Sequence, residues 1–162
     1  MAITPVSPAA ITRYYQVGVT QLLFCASIAN TAAPTFSELD NGTSLERDLA
    51  DWSGWTVSSN MIDTPDLATR FTSKLPGRIS AEDSSLTFYE DKLQVDLRTL
   101  MPRDASGFIV IANGGLASAK GDVFKVTIAS VGKMRSMDNA ALIKFDYAIL
   151  QQPNEDVTLP QS

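Results

Sequence analysis

Polar and apolar residues alternate with period two along several stretches of this chain, the pattern of strands with one covered and one open face. In 55–61 the apolar positions fall mainly on odd numbers, at Trp55, Val57 and Met61. In 84–89, Leu86 and Phe88 oppose Thr87 and Tyr89. Residues 122–131 set Phe124, Val126 and Ile128 against Lys125, Thr127 and Ala129, and 142–150 set Ile143, Phe145, Tyr147 and Ile149 against Lys144, Asp146 and Ala148. The last two read as long, neighbouring antiparallel strands. Residues 14–29 and 108–112 are more continuously apolar and read as central strands covered on both faces. Gly107, Gly114, Gly115 and Gly121 mark turns between them and the strand that follows. A helix is predicted over 91–101, where Leu93, Leu97, Leu100 and Met101 share a face and Pro102 ends the pattern.

Three stretches lack such periodicity. Residues 1–12 carry Pro5 and Pro8, 151–162 carry Pro153 and Pro160, and 33–51 mix Pro34 and Gly42 with many polar residues. The expected organisation is an N-terminal arm over 1–12, one β-domain over 13–150, and a C-terminal arm over 151–162. Arms of this kind gain order by pairing with a neighbour, which offsets the lost chain entropy.

A length of 162 residues suits a single core. Lys and Arg number 13 against 18 Asp and Glu, a net charge of −5, and no basic run could neutralise consecutive phosphates, so tight nucleic-acid binding is not expected. There is no histidine, which excludes Ser-His-Asp and Cys-His catalysis, His-ligated metals and imidazole switches. The single cysteine, Cys25, sits in an apolar run and reads as a small buried hydrophobe. The acidic groups Glu38 with Asp40, Glu46 with Asp48 and Asp51, and Glu82 with Asp83 match no calcium-loop or acid–base spacing. Gly114-Gly115 leads into another strand rather than a helix, so a phosphate loop fails on context. No catalytic residue, cofactor or metal is expected. The apolar runs are far too short to span a membrane and no leader pattern is present, so synthesis in a cytoplasm is expected.

The order of short motifs carries a further signal. The series Ala33-Pro34-Thr35, Glu38-Leu39, Gly42-Thr43, Leu45, Asp48-Leu49, Ser53-Gly54-Trp55, Asn60 and Thr64-Pro65-Asp66-Leu67 resembles the major tail tube proteins of long-tailed, siphovirus-type phages, those of actinobacterial phages in particular. It continues through Phe71, Pro76-Gly77, 82–89 and 107–110, then Val123-Phe124-Lys125-Val126 and the closing strand 144–149. The resemblance covers 12–153 in family order.

The resemblance implies a mainly β fold, an antiparallel β-sandwich or half-barrel with one flanking helix. Six subunits would close into a ring, and rings would stack into a hollow tail tube through which phage DNA passes. It implies a virion protein made in the bacterial host cytoplasm. Implied partners are copies of itself, the tape measure protein, the tail terminator and distal tail or baseplate proteins; DNA passes without tight binding, and no membrane is involved. By position, 33–66 looks like the family's long loop reaching a neighbouring subunit. Contacts between copies are then expected at Pro34, Glu38, Leu39, Asp48, Trp52, Trp55, Pro65, Asp66, Pro153 and Leu159, and Asp146 is a candidate lumen charge. Six copies at −5 would put roughly −30 on a ring, a charge that discourages DNA from adhering. Two other readings fit the same pattern. One is the inner tube of a contractile tail or injection particle. The other is a ligand-binding β-sandwich, a capsid-decoration or carbohydrate-binding module using Trp52, Trp55 and Tyr89.

Overall fold

The computed structural model describes residues 15–90, 96–115 and 120–160. The elements in chain order are β1 (Gln21–Cys25), α1 (Phe36–Asp40), β2 (Thr43–Ser44), β3 (Leu49–Ser53), β4 (Val57–Thr64), β5 (Ser73–Ala81), β6 (Ser84–Tyr89), α2 (Leu97–Leu100), β7 (Ser106–Ala112), β8 (Lys120–Met134), β9 (Leu142–Ile149) and β10 (Asn154–Thr158). Eight strands form one sheet in the order β2-β1-β7-β8-β9-β6-β3, with β10 beside β8, and every pairing is antiparallel. Strands β4 and β5 form a separate hairpin.

The order forces the sheet to curl. Laid flat, β2 and β3 would lie about 29 Å apart, yet only 45–48 link them, and so short a connection reaches about 18 Å at most. The result is a half-barrel, one of the forms the family resemblance implied. Its main core packs Phe24, Leu86, Phe88, Ile109, Phe124, Phe145 and Tyr147 from one face of the sheet, with Met101 below α2. A second cluster on the opposite face joins Leu23, Cys25, Val110 and Val123 to Ile28, Leu39 and Leu159. Strands β1 and β7 are therefore covered on both sides, in agreement with their unbroken apolar character.

Several expectations are corrected. The region 33–66 is structured, not a loop: it holds α1, β2, β3 and β4. Thr35 caps α1 by accepting from the Glu38 N–H while the Glu38 carboxylate accepts from the Thr35 N–H at 2.8 Å, so the helix start is closed by its own sequence. The predicted strand over 14–29 is shorter, because 16–20 form a turn with Gly18 at φ 82. The helix predicted over 91–101 is described only as α2, begun by the Asp96 cap; the remainder falls outside the described residues, as does the arm over 1–12. The C-terminal segment does not extend from the body over its described residues, 151–160. Leu150 donates to the Lys125 carbonyl at 2.9 Å, and β10 then continues the line of β9 along β8, pairing Asn154 with Val123 and Thr158 with Lys120.

Candidate functional site

The hairpin formed by β4 and β5 is the most exposed part of the fold. Ile62 pairs with Leu75 and Met61 with Pro76 across its ladder, and Met61, Ile62, Leu75 and Ile79 all remain more than half exposed. At its tip Leu67 is fully exposed and Phe71 is 79% exposed. The Asp66 carboxylate accepts from the Ala68 and Thr69 N–H groups at 2.8 and 2.9 Å, which sets the turn. Lys74 and Asp63 form an ion pair at 3.2 Å. An isolated two-stranded hairpin is marginal in water, and clustered apolar exposure of this kind marks an interaction surface.

The hairpin root is built rigidly. Gly54 at φ 80 and Trp55 at φ 62 make a left-handed bend between β3 and β4. A side chain at Gly54 would run into the carbonyl oxygen of Asp83. The Trp55 N–H donates to Ser84 Oγ at 3.0 Å and its indole Nε1 to the Ser85 carbonyl at 3.2 Å. The indole meets Phe124 edge-on and tilts against Tyr147, each at 5.3 Å between centroids. Burial raises the pKa of Tyr147, whose hydroxyl donates to Met101 Sδ at 3.2 Å. Trp55 thus fastens the hairpin to the main core.

A groove of about 740 Å³ opens between β1 and β3, where the two ends of the curled sheet approach. Its walls include Val17, Leu22, Leu49 and Trp52, and its acids are Glu46 and Asp51. On the sheet face away from the main core, polar rows run across β3, β6, β9 and β8: Ser53, Ser85, Asp146 and Ser130 align in one, Asp51, Thr87 and Lys144 in the next. Ser53 and Ser85 hydroxyls lie 2.9 Å apart, as do those of Ser106 and Thr127. Asp146 accepts from Ser130 Oγ at 2.5 Å and pairs with Lys144 at 3.4 Å. With Lys125 beside them, this face holds its acids and lysines in balance.

The residues expected at contacts between copies are dispersed. Pro34, Leu39, Pro153 and Leu159 are buried within the chain itself, so their apolar surface is already taken up by their own fold. Glu38, Asp48, Trp52 and Trp55 are half-buried. Glu38 also accepts from the Ala29 N–H at 2.8 Å, tying α1 to the segment after β1, and the backbone donors of Thr35 and Ala29 hold its pKa below the usual 4.5. Only Pro65 and Asp66 lie on the open hairpin. Leu67, Ile62, Leu75 and Ile79 are exposed on this hairpin and are not among the residues expected at contacts between copies. The recoverable signal was the pair of β-rich runs flanking Pro65-Asp66, which marks a hairpin. Among the described residues no helix is long and apolar enough to cross a membrane, and no three Cys, Asp or Glu side chains are grouped to hold a metal ion.

A family model described as phage tail tube protein matches residues 8–162. This chain belongs to that family. No curated protein matches this tail tube protein, but solved structures share its fold. It is similar to a chain of the sheath/tube terminator of the extracellular contractile injection system PVC, with TM-score 0.61 and 11% identity over 90% of this chain and 98% of that one. It is similar to a chain of the anti-feeding prophage tube-terminating cap, at TM-score 0.60 and 12% identity over 96% and 99%. It is also similar to the SPP1 tail tube, at TM-score 0.57 and 11% identity over 86% and 78%. The expected mainly β, antiparallel tail tube fold is therefore present in this tail tube protein.

Proposed function

We propose that this chain is the repeating subunit of a phage tail tube, a structural virion protein without enzymatic activity that closes into six-membered rings whose stack conducts DNA. The observation that carries the reading is the rigidly rooted hairpin with exposed Met61, Ile62, Leu67, Leu75 and Phe71, an apolar surface that gains its full stabilisation only against another protein surface. Copies of the chain are the partner such a family member needs in quantity. A tail terminator at one end, distal tail or baseplate proteins at the other and a tape measure protein within complete the proposed assembly. The stretch 1–12 is proposed as a further contact between copies.

The polar face carrying Ser53, Ser85, Thr127, Lys144 and Asp146 is proposed to meet the lumen. Its hydroxyls bond one another and its charges pair locally, so it offers DNA neither a basic track nor an apolar patch. The charge that discourages adhesion is then local balance rather than bulk acidity, with Asp146 offsetting Lys144. D146K makes this face basic; tubes should form normally and DNA release should slow. Normal ejection would remove Asp146 from the channel wall.

The contractile reading has one specific support, the likeness in fold to contractile injection system chains; the SPP1 tail tube shares that fold as well. Tails that shorten on triggering, with a sheath around the tube, would select it. The test of the main reading is expression of the chain alone at high concentration and negative-stain imaging. Rings or tubes with sixfold symmetry are expected, and a folded monomer that neither polymerises nor joins tails contradicts it.

A further inference from the structure

We infer that the groove between β1 and β3 seats the hairpin tip of another copy, with Leu67 and Phe71 entering against Val17, Leu49 and Trp52 and with Arg70 facing Glu46 and Asp51. The inference rests on the assembly reading and names its contact. Two observations point the same way. The tip presents its large apolar side chains outward, Leu67 fully and Phe71 at 79%, so it does not occupy the groove of its own chain. The groove, about 740 Å³, has room for two such side chains and lies where the curled sheet fails to close.

Charge supplies the second argument. On the hairpin, Lys74 is engaged by Asp63, and the Asp66 carboxylate is taken up by two turn N–H groups. Arg70, exposed between Leu67 and Phe71, has no ion-pair partner among the described residues. The charged residues at the groove are both acidic: Glu46, which accepts from the Leu22 N–H at 3.4 Å, and Asp51, at the rim on the outer face of β3. An apolar tip carrying one cation therefore meets an apolar cleft carrying two anions, and complementary charge sets register as well as attraction.

Tip and groove are different surfaces of one chain, so the contact is heterologous and repeats from copy to copy, as a ring or tube requires.

Copies carrying F71C and copies carrying L49C are co-assembled, oxidised mildly and run on a non-reducing gel; the buried Cys25 stays silent. The expected result is a Phe71–Leu49 cross-linked dimer as the main product in tubes, absent when L49C is replaced by M137C. In parallel, R70D should raise the concentration needed for assembly roughly tenfold, and adding D51R to the same chain should restore it. Tubes without the F71C–L49C product, or with F71C joined to M137C, overturn the inference while leaving the tube reading standing. A product between I3C and L49C overturns it in favour of the N-terminal segment as occupant. Failure of D51R to restore R70D counts against it. Absence of tubes from the parent chain defeats both readings.

Discussion

Leu159 lies near the end of the chain, yet its side chain is only 1% exposed and packs over β8, where a Cβ added at Gly121 would lie 2.7 Å from its Cδ1. L159A therefore leaves a cavity in the cluster shared with Val110, Val123 and Leu39. Buried Leu-to-Ala changes cost about 2–5 kcal/mol. The lower half of that range applies, because β10 has β8 as its one strand partner, over a short, bulged register, and can settle into the gap. About 2–3 kcal/mol in a chain of this size lowers Tm by roughly 4–12 °C. The assay is thermal denaturation in a background carrying L67S and F71S, so that association does not add stability by mass action. A Tm within about a degree of the parent would refute the placement of Leu159 in the core and return the C-terminal segment to the role of a free arm.

G54A should destabilise through both its φ of 80 and the collision with the Asp83 carbonyl, by about 1–3 kcal/mol, read as a lowered midpoint in urea. Glu38 has a folded pKa below its ordinary 4.5, so its contribution is present above that pH and lost as pH falls through the folded value. E38Q should be less stable than the parent at neutral pH, with the gap closing in acid; a gap that stays constant down to pH 3 contradicts the capping role. Burial first, and the Glu38 charge second, push the Cys25 thiol up to about 11. A maleimide should therefore label native protein far more slowly than urea-unfolded protein, and equal rates would show the site to be open.

The strands legible in the sequence are those whose two faces differ. In β6, β8 and β9 the covered residues Leu86, Phe88, Phe124, Val126, Phe145 and Tyr147 alternate with polar ones such as Ser85, Thr87, Lys125, Thr127, Lys144 and Asp146, and the pairing of β8 with β9 follows from their length. Irregular ladders hid the rest. A bulge between Leu49 and Asp51 breaks the alternation of β3. Pro76 and Gly77 interrupt β5 at its own bulge and read locally as a turn. Asp156 at φ 53 lies within the register shift of β10, which leaves Val157 as its one buried position. The start of α1 was recoverable from Thr35 and Glu38, a spacing that specifies a capping box. The groove was not recoverable, since it arises only when strands distant in sequence curl toward each other.

The hairpin closes locally, with β4 and β5 joined by residues 65–72, whereas β1 must find β7 from far along the chain. Hairpins zip in about 1–10 μs, while sheets dominated by distant pairings take milliseconds to seconds. A newly made polypeptide therefore displays its sticky finger before its own proposed receiving cleft exists. The Asp63–Lys74 pair, Arg70 and Arg78 sit among the apolar residues of that finger, where gatekeeping charges slow indiscriminate clumping. On the proposed seating of the finger in the groove, polymerisation would be timed by the slow maturation of the body rather than by the finger.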